Sequence, residues 1–277
     1  MMLKFLLKCA AVWLALVVGQ IAGGMLLTAM TTVPASPAHD GPLDVTQAMV
    51  VVSAIFALVI GALAQNVRWS GWKKALVVAG AFYAIATVMS EIEALYFATY
   101  LHMSQASVIG LTVSDAVKAV LAAVAVRFLW RDGSDEAPER FGGLFWKIPV
   151  LALLYVVVYF GAGALIAWKG AAVRSFYQQG MHIDTGQLAV LQIFRGALWT
   201  AIGLWLAKGL TGGAWQRALL VGAAFSLFMA PALFYPNAFM PWAVRQFHMM
   251  EVGSSNFLYG LIVTLVLMAG RKKTANN

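Results

Sequence analysis

The chain has 277 residues, 62% of them hydrophobic and 11% charged, with a mean hydropathy of +0.81. Soluble domains carry roughly a quarter charged residues, so this composition excludes a water-soluble globular protein and makes the lipid bilayer the chain's first partner. The net charge of +8 sits in short segments between apolar runs and forms no clustered, aromatic-interleaved face, which excludes nucleic acid as a partner.

Runs that meet or approach the ~20 apolar residues needed to cross a bilayer recur near 5–30, 46–65, 73–99, 107–130, 147–168, 187–208, 215–236 and 251–270. Backbone polar groups in lipid are satisfied only in helices or closed barrels, and continuous apolar runs point to helices. The expected fold is an all-α integral membrane protein of about eight transmembrane helices. Lys4, Lys8, Arg68, Lys73, Lys74, Arg127, Arg131, Arg140, Lys147, Lys208, Arg217, Arg271, Lys272 and Lys273 fall on one side of these spans. Lys169, Arg174 and Arg245 fall on the other. The positive-inside rule then places both termini in the cytoplasm, as for an inner-membrane protein.

In helix one, Lys4 and Lys8 precede an apolar run in the order of a signal peptide, but the run is long enough to span and reads as a retained helix. Gly19, Ala22, Gly23 and Gly24 provide the small surface that lets membrane helices approach closely. Cys9 is the only cysteine, which rules out an intrachain disulfide and a cysteine-rich metal site. A proline-rich segment, 31–46, follows as an external loop, with His39, Asp40 and Asp44 and no lysine or arginine. Helix two runs inward to Arg68, where Trp69 and Trp72 suit an interfacial aromatic belt.

Helix three carries Glu91 and Glu93 near its end. At about 100° per residue they point to nearly opposite sides, while Thr87, Ser90, Glu91 and Ala94 share a face. An ionisable group inside a span is expensive and marks a functional candidate. Glu91 is expected to turn inward and Glu93 to lie nearer the water interface. A turn with His102, Ser104 and Gln105 leads into helix four, where Asp115 and Lys118 are spaced to form an intrahelical ion pair.

The most hydrophilic stretch, 131–145, divides the chain into units 1–130 and 146–277. The run from Trp72 to Phe82 matches Trp215 to Phe225 without a gap, and Val17–Leu26 resembles Val157–Ile166. With four spans in each unit, both start on the same side, so the expected architecture is two parallel four-helix repeats. In helix six, Arg195 lies about 12 Å inside the external end at 1.5 Å per residue. It is expected to compensate an intramembrane carboxylate, first Glu91 and next Asp115. Pro231 and Pro236 should kink or end helix seven. In the last external segment, 241–256, His248 and Glu251 are one turn apart, a spacing open to metal ligation or acid–base work. Asn256 follows them.

Taken by depth, Glu91, Glu93, Arg195, His248, Glu251 and Asn256 belong to the external half, with Asp115 nearer the middle. Their convergence would make an externally open polar cavity. The leading expectation is a permease or solute-binding membrane protein for a small polar solute or proton, with no metal. The first alternative is an intramembrane metal-dependent hydrolase or transferase using Glu91, His248, Glu251 and Asn256, with His248 and Glu251 the candidate metal ligands. The second is a non-catalytic scaffold in which the polar groups only fix packing.

Overall fold

A computed structural model describes residues 2–32, 34–101, 103–134, 137–178 and 184–270. His102, Asp135, Glu136, Arg271, Lys272 and Lys273 lie outside the described residues. The elements are α1 (Met2–Met30), α2 (Val45–Asn66), α3 (Gly71–Tyr83), a π-helical turn (Ala84–Val88), α4 (Met89–Phe97) and α5 (Gln105–Leu129). After the linker come α6 (Leu144–Leu165), a 3₁₀ turn (Ala167–Lys169), α7 (Ala171–Gln178), α8 (Thr185–Gly209), α9 (Ala214–Leu227), a second 3₁₀ turn (Ala230–Phe234) and α10 (Trp242–Met268). Eight of the resulting rods are long and apolar enough to cross a membrane. The chain is a multi-pass membrane protein in contact with the lipid bilayer.

Local sequence sets the helix starts. Asp44 and Gln47 form a reciprocal capping box at α2, and the Ser104 and Asp184 side chains accept backbone N–H bonds at the starts of α5 and α8. Pro231 sits in the first turn of the second 3₁₀ segment, where α9 has already ended. The last span differs from expectation. It begins at Trp242 directly after Pro241, well before residue 251, because Arg245, His248 and Glu251 all have partners inside the protein and need no water.

Packing follows small residues. A Cβ on Gly19 would come 2.8 Å from the Lys118 Cα, and one on Gly23 would come 2.5 Å from the Ser114 carbonyl. Helices α1 and α5 therefore meet backbone to backbone. Before the linker, α1 packs on α2 and α5, and α5 packs on α3; after it, α6 packs on α8 and α10, and α10 packs on α9. The two sets meet where α2 touches α9 and α3 touches α8. There Phe56, Phe82 and Phe228 interlock edge to face at 5.3, 5.9 and 5.1 Å.

The Lys/Arg-rich end is closed by backbone and charge. Val67 pairs with Leu210 in an antiparallel bridge, with Arg68 N–H donating to Gly209 O at 2.9 Å and Thr211 N–H to Asn66 O at 2.8 Å. Arg217 grips Glu139 with two donors, at 3.2 and 2.8 Å. Trp69 is a correction to the interfacial belt: it is buried beside Gly209, and only Trp72 is exposed. At the opposite end, Arg245 ties the 31–44 loop to α10. Its guanidinium is fully buried and donates to Asp40 Oδ2 at 2.7 Å, to Leu233 O at 3.1 Å and to the Asp40 carbonyl.

Candidate functional site

The candidate residues fall into two separate polar centres. The first is built on α5, whose Asp115 and Lys118 form the expected ion pair, Oδ1 to Nζ at 2.7 Å. Lys118 also donates to Gln20 Oε1 on α1 at 2.8 Å, and Asp115 Oδ2 accepts from the Thr87 hydroxyl at 3.0 Å. Thr87 sits in the π-helical turn. Such turns widen a helix locally and recur at functional sites. A cavity of about 160 Å³ opens beside the pair. Gln20, Ser53, Asp115, Lys118 and Tyr235 give it polar walls; Leu16, Phe56, Ala86 and Ala232 give it apolar ones.

Glu91 lies one helical turn beyond Thr87, within electrostatic reach of Asp115 and Lys118. One of its oxygens, Oε2, is buried without a hydrogen-bond partner among the described residues. The centre thus holds two carboxyl groups and one ammonium.

The second centre is built on α8. Arg195 is 1% exposed and pairs with Glu93, not Glu91, at 2.9 Å. This corrects the expected partner. The π-helical turn and α4 direct Glu91 toward α5, while Glu93, on the other side of the helix, meets α8. Glu93 Oε1 accepts from the Tyr159 hydroxyl at 2.9 Å, and Arg195 further donates to Gln192 Oε1 at 2.9 Å and to the Met89 carbonyl at 3.2 Å.

Adjoining it is a chain of three groups. Tyr177 of α7 lies 3.0 Å from His248 Nε2, and His248 Nδ1 lies 2.7 Å from Glu251 Oε2. Burial, with Glu93 and Glu251 nearby, pushes the Tyr177 phenol above its ordinary range, which keeps it a hydrogen-bond donor. The i,i+3 spacing of His248 and Glu251 thus becomes a contact. Both ring nitrogens are already engaged, and among the described residues no three His, Cys, Asp or Glu side chains converge.

Comparison with protein-family models, curated proteins and solved structures finds no match. What the centres can do follows from their own donors and acceptors.

Asn256 joins neither centre. It is buried on α10 with Nδ2 3.2 Å from the Met229 sulfur, a packing contact toward the end of α9. The sequence reading missed Gln20, Ser53 and Tyr235 in the cavity, and Tyr159, Gln192 and Tyr177 around Arg195 and His248. Gln20 and Gln192 did carry a signal, Gln20 as the lone amide of its span and Gln192 as an amide one turn before Arg195. The tyrosines carried none, because an interfacial belt explains such residues equally well.

Proposed function

We propose that the protein is a permease or solute-binding membrane protein that holds a small polar solute beside Asp115 and Lys118. It would be built as two parallel four-helix repeats, 1–130 and 146–277, with both termini cytoplasmic and the cavity reached from outside. One observation carries the reading: a cavity walled by an intramembrane ion pair also touches the π-helical turn of one span and the 3₁₀ turn that ends another. Ala86 lies in the π-helical turn between α3 and α4, and Ala232 lies in the 3₁₀ turn after α9. Under the proposed duplication these two turns fall within a few residues of each other in the aligned halves, and helix breaks at corresponding positions of membrane repeats point to a binding site.

Duplication is further supported by burial in register. Lys74 and Arg217, Ala75 and Ala218, Val78 and Val221, Ala81 and Ala224, and Phe82 and Phe225 are all buried pairs. The packing orders α2–α1–α5–α3 and α8–α6–α10–α9 also correspond, as do the cross-contacts α2–α9 and α3–α8.

The deciding experiment is solute counterflow in reconstituted vesicles with a panel of small polar solutes, comparing the natural protein with Ser53→Phe, which fills the cavity. Exchange that Ser53→Phe abolishes is the expected result. Exchange that survives a filled cavity, or no exchange of any solute, would remove the reading in favour of a scaffold. Orientation is tested separately by impermeant thiol labelling, since Cys9 is buried and gives little background. A cysteine at Ala38 should label from outside and one at Ser134 should not.

A further inference from the structure

Resting on the solute-site reading of the same cavity, we infer that its ligand is a small zwitterion, with one ammonium and one carboxylate on a short aliphatic frame. Among the described residues the charged walls of the cavity are Asp115 and Lys118, opposite in sign and 2.7 Å apart. A lone anion would place a second negative charge beside Asp115 with Lys118 the one cation in the cavity wall to offset both, and a lone cation would do the reverse beside Lys118. Net charge added inside a membrane span is costly. A zwitterion meets both charges at once. Its carboxylate takes a Lys118 donor and its ammonium takes an Asp115 lone pair, giving a ring of alternating charges with no net charge added.

Valence and size agree. Lys118 has three donors, of which Asp115 and Gln20 occupy two, so one is available without breaking the existing pair. Asp115 keeps acceptor sites beyond those used by Lys118 and Thr87. An α-amino acid holds its ammonium nitrogen and nearer carboxylate oxygen about one hydrogen bond apart, which matches the spacing of the protein pair. A cavity of about 160 Å³ holds the volume of about five waters at ~30 Å³ each, room for a compact molecule. Leu16, Phe56, Ala86 and Ala232 offer an apolar wall to its hydrocarbon part.

The test measures thermal stabilisation of the purified full chain, and counterflow in vesicles, with four probes of similar size: L-alanine, propionate, ethylamine and propionamide. Alanine alone should stabilise and exchange. Asp115→Asn should weaken alanine by at least about tenfold and admit propionate, while Lys118→Met should admit ethylamine instead. If either single variant fails to fold, the exchanged pair Asp115→Lys with Lys118→Asp keeps both charges and should retain alanine. Propionate, ethylamine or propionamide acting as well as alanine on the natural protein overturns the zwitterion. If none of the four acts while another polar solute exchanges, the ligand class is wrong and the solute site stands. If nothing exchanges, the solute-site reading fails with it.

Discussion

Lys118 and Arg195 are both cations inside apolar spans, each matched by a carboxylate at hydrogen-bond distance: 2.7 Å for Lys118–Asp115 and 2.9 Å for Arg195–Glu93. What separates them is the surroundings. Arg195 is enclosed by Gln192, the Met89 carbonyl and the ring of Tyr155, and Tyr159 holds its partner from the far side. Lys118 is 14% exposed against 1% for Arg195, while the carboxylates Asp115 and Glu93 are alike at 22% and 25%, and Lys118 and Asp115 line the cavity. The lesson is that a charge inside a span is not by itself a site. The enclosed Arg195 has its terminal NH groups bound to Gln192, Met89 and Glu93, whereas Lys118, beside open volume, can offer a donor to something else.

The contrast breaks or sharpens under substitution. The largest effect is expected for Arg195→Met, which strands Glu93 and should cost about 3–5 kcal/mol, with the Arg195→Met/Glu93→Gln double variant costing less. Denaturation midpoints in detergent measure this, and additive losses would mean that the two residues act independently. Lys118→Met should cost less, about 1–3 kcal/mol, because Asp115 keeps the Thr87 hydroxyl and faces an open cavity. A Lys118→Met loss equal to that of Arg195→Met would erase the distinction between the centres. Tyr159→Phe removes one donor to Glu93 and should cost about 1 kcal/mol in the same assay. Glu91→Gln should cost least, about 0.5 kcal/mol or under, since its buried oxygen forfeits no bond. A large loss there would show that Glu91 is part of the structural framework.

Much of this arrangement can be read from hydropathy. Seven spans begin and end within a few residues of the apolar runs that announce them; the exception is α10, whose first turns look hydrophilic only until their partners are known. Arg245 is the clearest case. Its carboxylate partner, Asp40, is far away in the chain, and no local pattern reports such a pair. Within a helix the sequence is a better guide: Asp115–Lys118 and His248–Glu251, both at i,i+3, are in contact as their spacing implies. Periodicity also separates Glu91 from Glu93. It cannot say which face meets α8, and the inward-facing polar stripe of Thr87, Ser90 and Glu91 favoured the wrong glutamate for Arg195. The π-helical turn and α7 left no legible trace, because neither interrupts the composition of its segment.

The antiparallel bridge between Val67 and Leu210 has a consequence for biogenesis. The turn at 66–68 lies between two spans made early in synthesis, yet the Arg68 N–H and the Asn66 carbonyl find their partners in Gly209 and Thr211. At ~5–20 residues per second, a ribosome needs on the order of ten seconds to make the intervening chain. For that interval the early turn must be served by water or lipid headgroups at the membrane surface, or by the insertion machinery. A nascent chain arrested between the two turns should therefore expose this hairpin to protease and be protected only when residues 209–211 arrive, making the bridge a late checkpoint in the protein's assembly.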